Sequence, residues 1–360
     1  MARGGPAAGE RHAKKSEDVG PGAATPKSGG SAEGPVPVVV MGLGFIGQEI
    51  ARAALQSEEL ELIGAVDKSP SLVGKKLSDV LGLPAGTFKI SATIGQAVGR
   101  RRGVVLLHAT GSKLPQVTDQ VLEALNFGMH VVSTCEELAF PWFNHAALAE
   151  KIDAAAQRAG TTVIGTGINP GFVMDRLVAT LGQICGNVRH AKVSRVVDAR
   201  TRRAGLQRKV GAGLTEDEFF ALVDKDAVGH VGLVESTALC ALGLGLDCDD
   251  YEEELTPVFA EEDITGGAFP VKKGRVAGIH QVAVGLAEGQ ERVRLELTIA
   301  VGADEPGDTI ELDADPPVRM SIPGGIAGDR ATANLVVNAA PRVSAAQPGL
   351  LTVLELPAAR

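Results

Sequence analysis

The stretch from Val36 to Leu55, VPVVVMGLGFIGQEIARAAL, joins a β-branched run, a glycine turn and a helical pattern. The valine run predicts a strand that is buried on both faces of a parallel sheet. The apolar residues after the glycines recur at helical spacing and predict a helix. Gly42, Gly44 and Gly47 lie between the two elements in GxGxxG spacing. The sequence therefore predicts a strand–turn–helix unit that binds a dinucleotide.

Each glycine of this turn has a physical role in such a unit. Gly42 permits the tight turn, Gly44 lets the backbone approach a diphosphate, and Gly47 lets the helix pack against the strand. The phosphates would lie at the helix N-terminus, beside Phe45 and Ile46, where free N–H groups and the helix dipole favour anions. A glycine turn that serves only packing is the alternative.

The second strand pattern, ELELIGAVD, ends in an acid at the position where a dinucleotide site needs one. Asp67 follows Gly47 by 20 residues, and an acid there binds the ribose hydroxyls of the adenosine. A carboxylate repels a 2′-phosphate, so NAD is favoured over NADP. Lys68 and Ser69 follow at once and could receive that phosphate, so NADP stays an alternative.

The order of patterns along the chain predicts an α/β fold with two domains. Strands and helices alternate between residues 36 and 170, which is typical of a doubly wound parallel sheet, the Rossmann arrangement. From residue 171, segments such as ERVRLELTIAV alternate apolar and polar side chains, as strands with one wet face do. We expect an N-terminal Rossmann domain and a second α+β domain built on a mainly antiparallel sheet.

The predicted boundaries divide the chain into four parts. Residues 1–35 lack apolar periodicity and are expected to be a disordered tail. Residues 36–170 form the dinucleotide-binding domain, and residues 171–325 form the domain for substrate binding and dimerisation. Residues 326–360 are expected to pack back on the first domain. An open second sheet would expose an apolar face, and a homodimer is the commonest way to cover one.

Composition excludes several classes of protein. The net charge of −9 argues against a nucleic-acid surface, which needs clustered Lys and Arg. The four cysteines are widely spaced, with no CxxC and no His at ligand spacing, so neither a disulfide framework nor a metal site is expected. No run of 18 apolar residues and no signal-peptide core occurs, so a cytoplasmic protein without membrane contact is expected.

The phrase STCEELAFPW follows the strand pattern MHVV and carries adjacent carboxylates, Glu136 and Glu137. Ligands of open α/β sheets lie outside the carboxyl ends of strands, so this is where the nicotinamide should end. Apolar walls from Phe140 and Trp142 would raise the pKa of a carboxylate, which suits proton exchange with an amine. A capping box formed by Ser133 and Glu136 is the structural alternative.

Several phrases together resemble one enzyme family. GLGFIG, AVDKSPSLVGKKL, HATGS, STCEELAFPW, GTGINPGFVMDRL, GHVGLVES and GRVAGIHQ look like the 2,4-diaminopentanoate dehydrogenase and native amine dehydrogenase family. These are Rossmann proteins related to dihydrodipicolinate reductase. The resemblance covers roughly residues 37 to 357. It implies a reversible, NAD(P)-dependent oxidative deamination of a small amine or diamino acid, with release of ammonia.

The resemblance also implies roles for particular residues. The catalytic glutamate of the family falls on Glu136, and the cofactor would be lined by His108, Ala109 and Thr110. The substrate would be bound by residues from the INPGF phrase and from the second domain: Asn169, Pro170, Phe172, Arg195 and His280, with Asp198 and His230 as further polar positions. Arg195 is the candidate cation for a substrate carboxylate.

Two other functions remain open from the sequence. A reductase of imines or carbonyls, of the dihydrodipicolinate reductase type, would share the fold, but no basic HHxxK-type phrase occurs. A non-catalytic NAD(P)-binding protein is the other alternative, and the carboxylate with apolar neighbours at the nicotinamide end argues against it.

Overall fold

The structure is a computed structural model that describes residues 34–357, which hold two six-stranded sheets. The strands are β1 (Val36–Met41), β2 (Leu60–Val66), β3 (Val105–His108), β4 (His130–Ser133), β5 (Thr162–Gly165), β6 (Asn187–Asp198), β7 (Asp250–Phe259), β8 (Val276–Ala287), β9 (Gln290–Ala300), β10 (Gly307–Asp315), β11 (Val318–Pro323) and β12 (Gly349–Leu351). The α-helices are α1 (Phe45–Gln56), α2 (Leu77–Leu81), α3 (Ile94–Val98), α4 (Leu114–Asn126), α5 (Trp142–Ala159), α6 (Arg176–Gly182), α7 (Ala204–Lys209), α8 (Glu216–Val223), α9 (Leu233–Leu244) and α10 (Gly328–Ala345). The predicted disordered tail lies outside the described residues, except for its last two.

The first sheet has the order β12-β5-β4-β3-β1-β2, and every neighbouring pair is parallel. Val38, Val39 and Val40 of β1 are fully buried, because apolar clusters cover both faces of the sheet. Helices α1 and α10 contribute to one cluster, and α4 and α5 to the other. The predicted doubly wound parallel sheet is confirmed.

The second sheet has the order β11-β10-β6-β9-β8-β7 and is mainly antiparallel, as predicted, with one parallel pair between β6 and β9. One of its faces is apolar and packs against α9 and other side chains of the same chain. The chain therefore covers this apolar face with its own side chains, so the face does not by itself require a partner, and the homodimer stays a prediction. Strands β7, β10 and β11 were not predicted from the sequence.

The C-terminal segment completes the first sheet. Helix α10 packs against α1, β3 and β4, and β12 pairs with β5. Leu239 of α9, a helix that packs mainly on the second sheet, belongs to the same apolar cluster as α1 and α10. Leu239 therefore joins the cores of the two sheets. Within residues 34–357, no helix has both the length and the apolar character to span a membrane.

We expect Leu239→Ala to lower the free energy of unfolding by about 2–5 kcal/mol, because it leaves a cavity where the two cores meet. Leu242→Ala is the matched control, since Leu242 lies on the same helix and is 56% exposed. It should change stability by roughly 0.5 kcal/mol or less. Chemical denaturation of both variants measures the difference, and equal losses would show that Leu239 does not join the cores.

Candidate active site

A cavity of about 480 Å³ lies between the carboxyl edge of the first sheet and one face of the second. The first sheet contributes the glycine turn and the segments that follow β3, β4 and β5. The second sheet contributes a wall from β6 and β9, namely Arg195, Val197, Leu297 and Ile299. We call this cavity the cleft.

The glycine turn fits the diphosphate of a dinucleotide. Gly42 has φ +87°, and a Cβ on Gly47 would lie 1.6 Å from the Gly42 carbonyl oxygen, so α1 begins directly against the turn. Gly44 is the N-cap of α1 and provides no side-chain cap, while a Cβ there would meet nothing within 4 Å. The space above the turn is thus open, and the N–H groups of the first helical turn lack intrahelical partners.

Asp67 anchors this turn to the end of β2. Its carboxylate oxygens accept hydrogen bonds from the N–H groups of Leu43 and Ser69, each at 2.7 Å. Asp67 is half-buried and Lys68 beside it is exposed. Asp67 therefore lies at the end of the strand, as predicted. Its hydrogen bond to Leu43 of the glycine turn was not evident from the sequence pattern.

His108 lies inside the fold, and the lining of the cleft comes from its neighbours Ala109 and Thr110. The His108 ring is bonded to the hydroxyls of Ser133 and Thr110, each at 2.7 Å, and to Gln120 at 3.1 Å. Burial lowers the pKa of His108 from 6.5 to about 4. His108 is therefore a neutral, hydrogen-bonded strand residue that does not itself line the cleft, because the first sheet and its helices enclose it.

Glu136 is half-buried and lines the cleft. Burial raises the pKa of its carboxyl, and the attraction of Lys209 and a hydrogen bond with the Ser112 side chain act in the opposite direction. The predicted alternative, a capping box, does not form. Cys135 is the N-cap of the 3₁₀ turn Glu136–Ala139 and provides no side-chain cap.

The side chain of Glu137 has different partners from that of Glu136 and does not line the cleft. Its carboxylate accepts a hydrogen bond from the N–H of Leu114 at 2.6 Å and lies 2.9 Å from His145 Nε2. Glu137 therefore stabilises the start of α4. Of the two adjacent carboxylates, Glu136 is the one that lines the cleft.

Asn169 and Pro170 line the cleft, and Asn169 belongs to a buried polar chain. Its amide lies 3.3 Å from His230 Nε2 and accepts from the Ser236 hydroxyl at 3.0 Å, and that hydroxyl lies 2.7 Å from the Asp175 carboxylate. Burial and the nearby Lys209 lower the pKa of His230 to about 3. His230 is therefore a neutral side chain of the cleft.

Arg195 lies in the cleft wall, but its charge already has a partner. Its guanidinium donates to the Asp308 carboxylate at 2.5 Å and to the Ile326 carbonyl at 2.8 Å. Asp308 is almost fully buried. The predicted cation for a substrate carboxylate is thus committed to a structural ion pair.

Four other predicted polar or aromatic residues lie away from the cleft. His280 is directly opposite Thr298 and hydrogen-bonds its hydroxyl at 2.9 Å. The neighbours of Thr298 on β9, Leu297 and Ile299, face the cleft. Because side chains alternate along a strand, Thr298 and His280 lie on the other face of the sheet. Trp142 packs beside Phe140, with ring centroids 5.9 Å apart, in a separate depression. Phe172 packs against the core of the second sheet, and Asp198 accepts from the N–H groups of Arg200 and Gly302.

Sequence reasoning missed three cations that line the cleft: Arg202, Arg203 and Lys209. All three come from the segment RTRRAGLQRK that follows β6. A run of basic residues in an acidic chain could have indicated an anion-binding segment. Its position opposite the glycine turn was not predictable, because it depends on how the two sheets pack. Ser112, beside Glu136, was also missed.

The fold and the cleft define a dinucleotide-dependent oxidoreductase of the Rossmann type. A profile of the C-terminal domain of 2,4-diaminopentanoate dehydrogenase matches residues 172–360, more than half of the chain. The chain therefore belongs to the 2,4-diaminopentanoate dehydrogenase family.

Individual relatives agree with this family. The 2,4-diaminopentanoate dehydrogenase of Acetoanaerobium sticklandii is 28% identical over 90% of this chain and 94% of its own length. The structure of an amine dehydrogenase from Mycobacterium smegmatis has the same fold, with a TM-score of 0.80 at 23% identity, over 91% of this chain and 98% of that one. The 4-hydroxy-tetrahydrodipicolinate reductase of a Nostoc species is 30% identical, but over 28% of this chain and 38% of its own.

The buried His108 makes stability depend on pH. Since its folded pKa of about 4 lies below the ordinary 6.5, the unfolded chain takes up a proton first as the pH falls. The folded state then loses stability as the pH falls from 6.5 to 4, by about 3 kcal/mol at about 1.36 kcal/mol per pKa unit. His108→Asn lacks this titration, so its stability deficit relative to wild type should shrink as the pH falls. A deficit that stays constant from pH 7 to 4.5 in urea titrations would contradict this.

Proposed function

We propose that this protein catalyses the reversible oxidation of a small amine or diamino acid to the carbonyl compound and ammonia, with NAD(P) as the hydride acceptor. The observation that carries the proposal is a half-buried carboxylate, Glu136, in a cleft that also contains the glycine turn. Family membership supports the same reaction class, since two relatives bear the names of amine-oxidising dehydrogenases.

The environment of Glu136 suits proton exchange with an amine. Burial raises the pKa of its carboxyl and brings it closer to the pKa of an ammonium group, which improves proton transfer between them. Lys209 and Ser112 oppose this shift and favour the ionised carboxylate that can accept a proton. Glu136 is therefore our candidate for the catalytic base.

The proton transfers follow from the chemistry of an amine. Glu136 first takes a proton from the substrate ammonium, and the free lone pair then assists loss of hydride from the adjacent carbon. When bound, NAD(P) accepts that hydride. Glu136 then releases this proton to solvent and, ionised again, removes a proton from the water that adds to the iminium carbon. It gives that proton to the carbinolamine nitrogen, and it takes up the hydroxyl proton as the carbonyl forms and ammonia leaves. Val197, Leu297 and Ile299 provide apolar surface beside these steps.

Glu136→Gln keeps the shape of the side chain and removes the base. Turnover of the amine should fall by about two to four decades, the range for losing a general acid–base group. NADH affinity, measured by fluorescence titration, should stay within about twofold, since Glu136 is not expected to contact the diphosphate.

Glu137→Gln is the matched control for this experiment, because Glu137 is adjacent but bonds Leu114 and His145. Its turnover should fall by roughly tenfold at most, since it does not face the reacting atoms. A Glu136→Gln enzyme with near-normal turnover and a much lower melting temperature would mean that Glu136 has a structural role only.

We also propose NAD as the favoured cofactor, because Asp67 at the end of β2 would repel a 2′-phosphate. Asp67→Ala should weaken NAD binding several-fold more than NADP binding, since it removes a ribose contact and a repulsion together. Calorimetric titration of both cofactors measures this. Equal losses for the two would show that Asp67 acts through its bonds to Leu43 and Ser69 alone.

Further proposals concern the organisation of the protein and the residues that contact the substrate. We retain the division at residues 36–170, 171–325 and 326–360, which is supported by the sheet to which each strand belongs. We retain the predicted homodimer and the cytoplasmic location as predictions from the sequence. We also propose that Asn169, Pro170 and the neutral His230 contact the substrate, since all three share the cleft with Glu136.

A further inference from the structure

The segment from Arg200 to Lys209 has a charge that the proposed reaction does not use. Its sequence, RTRRAGLQRK, holds five cations and no acid in a chain of net charge −9. It continues from β6 of the second sheet through α7. We call it the basic segment.

The basic segment reaches across the cleft to the glycine turn. Arg203 lines the cleft together with Gly44, Phe45 and Ile46. The guanidinium carbon of Arg203 lies 5.1 Å from the centroid of the Phe45 ring, and Phe45 is the first residue of α1. This distance is within the range of a cation–π contact. An arginine of the basic segment therefore lies beside the first residue of α1, the helix whose N-terminus suits a diphosphate.

The charge of Arg203 is available for a ligand. Within residues 34–357, no carboxylate pairs with Arg203, whereas Arg202 bonds Asp329 at 2.8 Å and Arg200 bonds Asp198 at 2.7 Å. Arg203 is exposed, and 49% of the Phe45 surface is exposed as well. A contact on an exposed ring is weak enough to be exchanged for a stronger one.

The first sheet offers little side-chain charge for a diphosphate. Of the residues that the sequence assigns to the cofactor, Lys68 is the one cation, and it follows β2, where the adenosine ribose is expected. The turn itself supplies N–H groups and the helix dipole. A guanidinium on the opposite wall would offset one of the two negative phosphate charges and can bond two phosphate oxygens at once.

We propose that Arg203 binds the diphosphate of the dinucleotide from the second sheet and that the Phe45 ring holds the guanidinium in position before the cofactor arrives. The cofactor would then contact both sheets, with the glycine turn on one side and the basic segment on the other. This inference rests on the proposed function only in requiring that the cleft binds a dinucleotide.

Binding of NADH to the purified full-length protein, without substrate, tests the proposal by fluorescence titration. Arg203→Met removes the charge but keeps most of the length and apolar stem. Loss of a charged hydrogen bond should raise the Kd for NADH by about tenfold or more. The salt dependence of the Kd should also become weaker, because one screened charge pair is gone.

Arg208→Met is the matched control. Arg208 belongs to α7, the helix whose N-cap is Arg203. Its guanidinium carbon lies 5.9 Å from the Phe269 ring centroid, and it does not line the cleft. Its variant should keep the Kd for NADH within about twofold. ADP-ribose, which has the diphosphate but no nicotinamide, should lose the same factor as NADH in Arg203→Met.

Three results would overturn the proposal while leaving the dinucleotide site intact: an unchanged NADH affinity in Arg203→Met, an equal loss in Arg208→Met, or a loss for NADH that ADP-ribose does not share. Failure of the wild-type protein to bind NADH or NADPH would instead refute both this inference and the proposed function.

Discussion

The carboxyl ends of parallel strands lie at one edge of their sheet, and the site depends on that constraint. The glycine turn after β1 and the 3₁₀ turn after β4 are far apart in sequence, yet both reach the cleft because their strands run the same way. Helix α10 packs on a face of this sheet, and β12 adds a strand at its edge. The second sheet supplies the facing wall from β6 and β9, and the basic segment that follows β6 adds cations to it.

Burial of charge determines the chemistry of this cleft. Partial burial of Glu136 favours its neutral form, while Lys209 and Ser112 favour its ionised form. The buried ion pair of Arg195 and Asp308 satisfies both charges and stabilises the cleft wall that β6 contributes. The cleft thus contains two kinds of cation. Arg195 is paired and structural, whereas Arg203 and Lys209 of the basic segment line the cavity.

Local patterns were enough to predict the first sheet and the position of Glu136, since valine runs, glycine spacing and strand ends are properties of short segments. The directions of single side chains were not predictable in the same way. His280 turned to the opposite face because the register with Thr298 decides it, and His108 became a buried partner of Ser133. Arg203 was missed because only the meeting of the two sheets brings it to Phe45.

The most direct test of the account is to measure NADH formation and released ammonia together, with NAD and a panel of short amines, diamino acids and the matching alcohols. The account predicts that amines or diamino acids yield NADH and ammonia in equal amounts, and that the alcohols yield neither. NADH formation from an alcohol, with no ammonia released and no amine oxidised, would contradict it.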